Sequence, residues 1–372
     1  MISEIKISNF KSILEDTIQL GNVNVFIGEN GCGKSNILEA FALASCAKDD
    51  KLNTEGFYSK GIRVAKPALM YSSFFRKVQT KEINISIKFA GNISINSRLI
   101  CELERGFASE WIDLTSKTID TLIGLSEIEI LKTINELKQR ESGYAYRLIK
   151  NFVIYSLTTH ALRGIYSESK KTPLGINGEN LDVLIADFTE NELIELQKYN
   201  YLISWLDNFV IDLEDSLKFK GFKPNKTSSR LYFRDKFMRS DQNFFSAENA
   251  NEGILHLLFY LTLFISNQTP NFFAIDNIET SLNPHLCTEI TRIICNLAGS
   301  KGKQVLITTH NPAVLDGLNL NDDSIRLFEV YRNDKGYTQT RRIKLSHETK
   351  PEKIKLSELW TRGFLGGISK NF

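Results

Sequence analysis

Apolar and polar residues alternate at the start of the chain, which is the pattern of a half-buried strand. Residues 4–7 follow this pattern, and residues 23–27 form a short and largely apolar run. A glycine-rich segment, residues 28–35, comes next, and residues 36–45 after it favour a helix. The opening of the chain is therefore predicted to fold as strand, strand, glycine-rich loop and helix.

Alternation returns between residues 83 and 101, where apolar residues recur at most of the odd positions. Gly91 and Asn92 interrupt this pattern with a turn signal, so we predict an antiparallel hairpin beside the main sheet. In the last third of the chain the pattern predicts a strand over residues 272–275, a helix over 284–297, a strand over 304–308 and a hairpin turning at 334–336.

The middle of the chain has a different spacing. From about residue 107 to residue 217 apolar residues recur at helical intervals, as at Ile130, Ile134 and Leu137, and residues 189–192 have the form of a capping box. We therefore predict one α/β head whose two parts are separated in sequence by an inserted helical lobe. The predicted bounds are 1–105 and 218–372 for the head and 106–217 for the lobe.

Residues 218–239 combine basic and aromatic side chains. Basic side chains in such an arrangement are suited to contact with phosphates, so DNA is one candidate partner. The alternative, which we prefer, is a pair of strands with one solvated basic face and one buried aromatic face.

The composition is that of an ordinary globular protein. Apolar residues make up 42% and charged residues 24% of the 372 residues, and the net charge of +2 indicates no class of partner. The start lacks the regions of a signal peptide, the cysteines are scattered, and the longest apolar stretch, residues 254–265, is shorter than the ~20 residues of a membrane span. These features predict a cytoplasmic protein with no membrane partner, and a buried core helix over 254–265.

Residues 28–35, GENGCGKS, match the phosphate-binding pattern G-x-x-x-x-G-K-[ST] between a predicted strand and a predicted helix. Glycines let successive backbone N–H groups point at a phosphate, and the start of a helix adds positive potential. We predict that Lys34 bridges the β- and γ-phosphates and that Ser35 offers its hydroxyl to Mg²⁺. The predicted phosphate-binding residues are Asn30, Gly31, Cys32, Gly33, Lys34 and Ser35. The alternative is a glycine-rich turn without a ligand.

Two further polar residues follow predicted strands. Asp276 ends the apolar run 272–275 and is predicted to hold Mg²⁺ opposite Ser35. His310 follows the strand over 304–308, where a histidine can reach a γ-phosphate or the water that attacks it. Either residue alone is common in α/β proteins. Their order along the chain, after two successive predicted strands, supports assigning both to a nucleotide site.

Together these motifs resemble the RecF/SMC/OLD group of ABC ATPases. The resemblance rests on residues 7–12 (ISNFKS), 28–35, 274–279 (AIDNIE) and 282–284 (LNP) and on His310. It implies an ABC-type ATPase head, which is a P-loop NTPase with a mixed sheet flanked by helices and an antiparallel subdomain. It also implies ATP and Mg²⁺ as ligands, and association into a homodimer or higher homo-oligomer when ATP binds.

The resemblance further implies a signature segment before Asp276 that contacts the γ-phosphate bound by the opposite subunit. Asn251, Glu252 and Gly253, just before the helix predicted over 254–265, are the candidates. A polar cap and a glycine at a helix N-terminus suit an anion. The alternative is an ordinary helix cap.

In this family a glutamate usually follows the strand aspartate and activates the attacking water, but Asn277 stands at that position. An amide orients a water but does not accept its proton. Glu279 is a candidate replacement, and His310 is a third candidate catalytic residue. ATP hydrolysis is therefore expected either to use Glu279 or to be slow, with the protein switching mainly on ATP binding.

Residues 276–279 and the tail, residues 356–372, are also similar to ATPases of two-gene OLD-like anti-phage systems of the Septu and PARIS kinds. This similarity implies an ATP-controlled sensor or scaffold for a separately encoded nuclease effector. Two alternatives stay open, a RecF-like DNA-repair ATPase and a non-hydrolysing, nucleotide-dependent assembly protein. The tail is expected to hold a terminal helix that docks on the head.

Overall fold

The computed structural model describes residues 1–63, 66–75, 79–90, 93–103, 109–117, 143–165, 173–221, 223, 227–344 and 354–367. Three sheets and the helices packed on them make up this part of the chain. The strands are β1 (Ile2–Phe10), β2 (Ile13–Gln19), β3 (Val23–Ile27), β4 (Ile83–Phe89), β5 (Ser94–Leu103), β6 (Glu110–Asp113), β7 (Ile154–Tyr155), β8 (Leu206–Ile211), β9 (Leu231–Asp235), β10 (Phe244–Ser246), β11 (Phe272–Ile275), β12 (Gln304–Thr308), β13 (Ile325–Arg332) and β14 (Thr338–Ile343).

The described helices range from one turn to nearly five. They are α1 (Lys34–Lys48), α2 (Thr54–Ser59), α3 (Pro67–Met70), α4 (Leu114–Lys117), α5 (Tyr144–Lys150), α6 (Thr159–Leu162), α7 (Leu181–Ala186), α8 (Glu190–Gln197), α9 (Glu252–Ile265), α10 (Pro284–Ser300) and α11 (Leu356–Thr361), with 3₁₀ turns η1 (Asn200–Leu202) and η2 (Pro312–Gly317). In these residues no helix combines the length and the apolarity that crossing a membrane requires.

The central sheet has six strands in the order β14-β13-β3-β12-β11-β7. All of its strands run parallel except β14, which pairs antiparallel with β13. Successive side chains along a strand pack into two different cores, one on each face of the sheet. In β3, Val25 and Ile27 pack on one face and Phe26 packs on the other. Burial on both faces explains why β3, β11 and β12 are continuous apolar runs in the sequence instead of alternating ones.

A helix and a second sheet cover one face of the central sheet, and helices cover the other. On the first face lie α1 and the antiparallel sheet β2-β1-β4-β5-β6. On the second lie α9, which is buried from Ile254 onward as predicted, and α10. This arrangement confirms the predicted mixed sheet flanked by helices with an antiparallel subdomain.

Several predicted elements occur as expected. The strands predicted over 272–275 and 304–308 are β11 and β12, and the capping box at the start of α8 is formed by Thr189 and Glu192. The β4–β5 hairpin is also present. Its predicted turn residues, Gly91 and Asn92, lie outside the described residues, as do Ile130, Ile134 and Leu137.

The segment predicted as an inserted helical lobe, residues 106–217, is not purely helical where it is described. It contains β6 and β8, and β7 is the edge strand of the central sheet, where Ile154 pairs with Ala274 of β11. Only two residues of β7 form the ladder, which is too short for an alternating pattern to show in the sequence. The lobe boundaries stay a prediction, whereas β7 is part of the head sheet.

The preferred interpretation of residues 218–239 is wrong in part. Among the described residues of this segment only one strand, β9, occurs, and it forms the centre of the sheet β10-β9-β8. Tyr232 and Phe233 are buried as expected, but Phe219 is 90% and Phe237 is 76% exposed. Both exposed rings lie outside β9, so the alternation of this strand does not extend to them.

Candidate nucleotide-binding site

The glycine-rich loop connects the end of β3 to the start of α1, as the sequence predicts. Gly33 is the N-cap of α1 and has a left-handed backbone, with φ of 113°. A side chain there would place its Cβ 2.3 Å from Thr338 Oγ1, so only glycine fits this position. At Gly31, in contrast, a Cβ would meet no atom within 4 Å, so the rim of the loop is open to a ligand.

Lys34 is the buried cation of the loop, with only 6% of its surface exposed. Its ammonium donates to the carbonyl oxygens of Gly28 at 2.8 Å and Glu29 at 2.9 Å. Burial lowers the pKa of Lys34, although the nearby Asp276 and Glu279 carboxylates act against this effect, so a further negative charge would favour the ammonium form. An anionic group such as a phosphate would supply that charge.

Ser35, Asp276 and Thr308 form a connected set of oxygens beside the loop. The Ser35 hydroxyl donates to Asp276 Oδ2 at 3.2 Å, and Thr308 Oγ1 donates to Asp276 Oδ1 at 2.5 Å. Thr308 Oγ1 also accepts the backbone N–H of Asn277 at 2.9 Å. The predicted pair Ser35 and Asp276 is therefore brought together, across 241 positions of sequence.

These oxygens fit Mg²⁺ by their chemistry. Mg²⁺ takes oxygen ligands and is usually bound through one or two carboxylates together with substrate phosphates and water, so a single carboxylate and a hydroxyl are sufficient protein ligands. No cluster of three or more metal-ligating side chains occurs in the described ranges. The site therefore suits a metal ion that binds together with a nucleotide better than a metal ion held by protein ligands alone.

The three candidate catalytic residues lie in the two loops that follow β11 and β12. Glu279 Oε1 accepts the backbone N–H of His310 at 2.8 Å. Its second oxygen, Oε2, is buried and has no hydrogen-bond partner among the described residues. A buried carboxylate oxygen without a donor is costly, so this atom is suited to a donor from a ligand, such as a water.

Asn277 has a left-handed backbone with φ of 56°, a conformation that asparagine tolerates better than most residues do. The backbone conformation at position 277 therefore favours asparagine, independently of any catalytic role of the side chain. Although His310 is solvent-accessible, partial burial of its ring and the nearby Lys34 ammonium lower its pKa. His310 is thus neutral at pH 7 and can accept a hydrogen bond.

The three candidate signature residues lie at the N-terminus of α9. The Asn251 side chain caps the helix by accepting the N–H of Ile254 at 3.0 Å, and Ser281 donates to Glu252 at 3.0 Å. A Cβ on Gly253 would lie 3.2 Å from the carbonyl oxygen of Ser281. No hydrogen bond among the described residues joins these three to the loop 28–35 of the same chain, and their contact with a phosphate stays a prediction.

Three residues that support the site were not predicted. Thr308 holds Asp276, and its place in the run just before His310 was the available signal. Thr338 donates to the carbonyl oxygen of Cys32 at 2.6 Å, and Arg332 donates to that of Gly31 at 3.2 Å. Thr338 and Arg332 flank the turn between β13 and β14, about 300 residues from the loop, so no local pattern indicates them.

A groove of about 1430 Å³ begins at the site. It runs from Ser35 and Asp276 past Arg63 and Lys60 to residues 267–271. The candidate metal ligands are therefore accessible from the surface of a single chain.

Comparison with known proteins identifies the family. Residues 1–315 match the family model described as AAA ATPase domain. The DNA replication and repair protein RecF of Clostridium tetani is 23% identical over 82% of this chain and 77% of its own length. RecF of Halothermothrix orenii is 23% identical over 64% of this chain and 67% of its own. An uncharacterized protein of Methanocaldococcus jannaschii is 35% identical over 98 residues, which are 24% of this chain and 42% of that protein, so the match spans less than half of the archaeal relative.

Solved structures with the same fold are heads of SMC proteins. The SMC head bound to the C-winged helix domain of ScpA has a TM-score of 0.54 at 15% identity, over 92% of this chain and 98% of that one. The head with an extended coiled coil from Pyrococcus furiosus, bound to the C-terminal domain of ScpA, has a TM-score of 0.50 at 13% identity, over 92% and 96%. With the family match over residues 1–315, we conclude that the chain belongs to the AAA ATPase domain family and has the fold of SMC heads.

Proposed function

We propose that the protein binds ATP with Mg²⁺ at the loop 28–35 and that ATP brings two heads together. The observation that carries this proposal is the contact between Ser35 and Asp276, beside the buried ammonium of Lys34 at the start of α1. In this assignment Lys34 bridges the β- and γ-phosphates, and Ser35 and Asp276 hold Mg²⁺, which neutralises charge on the phosphates. Backbone N–H groups from Asn30 to Gly33 surround the β-phosphate.

Lys34→Ala tests the nucleotide site. The variant removes the ammonium that would face the phosphates and keeps a residue with high helix propensity at the start of α1, so the fold should persist while binding is lost. Isothermal titration with an ATP analogue and Mg²⁺ should give heat for the wild type and none for Lys34→Ala. Micromolar binding by a folded Lys34→Ala protein would refute the assignment of the loop.

For hydrolysis we assign the role of base to Glu279. Its Oε2 atom is buried without a donor, whereas its Oε1 atom is held by the His310 backbone, so the carboxylate is fixed with one free oxygen. That oxygen can accept the proton of an attacking water. Asn277 can orient the water, and the neutral His310 ring can hydrogen-bond to it or to the γ-phosphate.

The candidate signature residues Asn251, Glu252 and Gly253 act across the dimer in this proposal. They cap a helix of 14 residues, whose N-terminal dipole favours an anion, and they are not bonded to the loop of their own chain in the described structure. The γ-phosphate held by one head would lie against α9 of the other. A single head leaves the same phosphate open to water.

In the cell we propose that this ATP-controlled dimer is a sensor or scaffold for a separately encoded nuclease effector in anti-phage defence. The support is the similarity of residues 276–279 and of the tail to ATPases of two-gene OLD-like systems. A native mass measurement of the chain purified together with the product of its neighbouring gene tests this role. A stable complex with nuclease activity supports it, and a neighbouring replication or recombination gene with no complex contradicts it.

Two other functions have observations in their favour. The RecF relatives favour a DNA-repair ATPase, which would show direct, salt-dependent binding to DNA. Asn277, at the position of the usual glutamate, favours a nucleotide-dependent assembly protein that does not hydrolyse ATP. Steady-state turnover of ATP separates this last function from the others.

A further inference from the structure

The C-terminal segment, residues 354–367, folds back onto the head. At its start the N–H and the hydroxyl of Ser357 both donate to the Asp316 carboxylate, at 2.9 and 2.8 Å, which ties α11 to η2. Trp360 is only 5% exposed, and its indole Nε1 is buried without a hydrogen-bond partner among the described residues. The docking predicted for the tail is therefore present.

The end of this segment touches the nucleotide-binding loop. A Cβ built on Gly367 would lie 3.0 Å from Gly28 Cα and 3.4 Å from Gly28 N, so the two backbones are in direct contact. A Cβ on Gly28 would lie 2.1 Å from the carbonyl oxygen of Val330 in β13. The first glycine of the loop is thus enclosed between β13 and the tail.

Glu329 fixes the tail at this place. Its Oε1 atom accepts the N–H of Gly367 at 2.7 Å, and its Oε2 atom pairs with Arg341 at 2.6 Å. Glu329 is buried in β13, where it pairs with Ile27, the residue just before Gly28. The tail is therefore held by the same strand pair from which the loop emerges.

We propose that residues 354–367 position the nucleotide-binding loop, so that nucleotide binding and docking of this segment are coupled. The inference rests on the proposed nucleotide site. The loop binds phosphate through backbone N–H groups whose directions depend on its conformation, and the Gly367 contact restricts that conformation at Gly28. Coupling of this kind is reciprocal: nucleotide strengthens docking of the tail, and a partner that displaces the tail weakens nucleotide binding.

Two glycines of the tail give a matched pair of variants. Gly363 and Gly367 have φ of 82° and 70°, so alanine causes similar left-handed strain at both. At Gly363 the new Cβ meets no atom within 4 Å, whereas at Gly367 it presses on Gly28. In titrations with a non-hydrolysable ATP analogue and Mg²⁺, we expect Gly367→Ala to raise the Kd about tenfold or more, and Gly363→Ala to stay within about twofold of the wild type.

Trp360 reports the reverse direction of the coupling. Its Nε1 lies 3.6 Å from the Cβ position of Gly367, so its emission should change when the analogue binds. Trp360→Phe should lose that change, while Trp111 and Trp205 supply a constant background. Thermal unfolding of both alanine variants establishes that they are folded.

Hydrogen exchange of residues 354–367 in the wild-type protein needs no variant and should show slower exchange with the analogue bound. Equal Kd values for the two alanine variants would overturn the coupling while leaving the nucleotide site intact, as would unchanged exchange of the tail. Absence of binding by the wild type would overturn the nucleotide site and the coupling with it.

Discussion

At the scale of single residues, Thr308 connects the candidate metal ligand to the loop that carries the candidate catalytic groups. Its hydroxyl donates to Asp276 and accepts the N–H of Asn277. Hydrogen bonds to charged groups are worth about 1.5–3 kcal/mol, so Thr308→Val should weaken binding of Mg²⁺ with an ATP analogue about tenfold or more. Binding of the analogue without Mg²⁺ should change little.

Thr291→Val is the control for that variant. Thr291 is also fully buried and its hydroxyl bonds a helix carbonyl, but it lies in α10. Titration of both variants with and without Mg²⁺ separates loss of a buried hydroxyl from loss of the Asp276 contact. Equal weakening in the two variants would show that Thr308 has no specific part in the site.

Glu279→Gln should reduce single-turnover hydrolysis about 10²–10⁴-fold, because the amide no longer accepts a proton from water. Asn277→Glu should add little hydrolysis, since Glu279 already supplies a carboxylate. The left-handed backbone at position 277 also makes glutamate there destabilising by roughly 1–2 kcal/mol. A large gain of rate in Asn277→Glu would instead show that a missing base limits the wild type. Equal hydrolysis rates in the wild type, Glu279→Gln and Asn277→Glu would indicate His310 as the residue that activates the attacking water.

At the scale of elements, the sequence predicted those whose pattern is local. The runs that form β3, β11 and β12 are short, apolar and followed by polar site residues, and both the glycine loop and the cap of α8 have local signatures. The two-residue strand β7 was missed because it is too short for an alternating pattern and because its pairing with β11, which is distant in sequence, gives no local signal. Thr338 and Gly367 escaped for the same reason, since only the folded chain brings them to the loop.

The C-terminal end of α9 is tied to β12 through a buried lysine. Lys303 donates to the carbonyl oxygens of Leu263 and Ser266 at 2.7 and 2.8 Å. Burial, with a smaller effect of Lys301, lowers the pKa of Lys303 to about 7, against ~10.4 in an unfolded chain. Between these values the unfolded state holds a proton that the folded state has lost, so the free energy of unfolding should rise with pH.

Urea unfolding at pH 7 and pH 9.5 measures this effect. In the wild type we expect the free energy of unfolding to rise by up to ~1.4 kcal/mol per pH unit. This rise should be absent in Lys303→Met, even if that variant is less stable than the wild type at pH 7. Lys335→Met is the control, since Lys335 is exposed in the turn between β13 and β14. The same slope in the wild type and Lys303→Met would show that Lys303 stays charged in the fold, held by its carbonyl partners.

At the scale of the whole molecule, the two candidate halves of the proposed site lie on different elements of the chain. The loop 28–35 lies at the end of β3, while residues 251–253 cap α9 and bond to Ser281. Local signatures predicted both halves, and no hydrogen bond joins them among the described residues. The central claim is therefore that ATP joins the halves of two different chains.

Sedimentation with and without ATP and Mg²⁺ tests this claim most directly, in Gly253→Arg and in a matched control, Gly299→Arg. Gly299 lies on the exposed side of α10, and a Cβ there meets no atom within 4 Å. The wild type and Gly299→Arg should dimerise when ATP is added, while Gly253→Arg should bind ATP and stay unassociated. If Gly253→Arg associates on ATP as the wild type does, or if ATP leaves the sedimentation of the wild type unchanged, the composite site is contradicted.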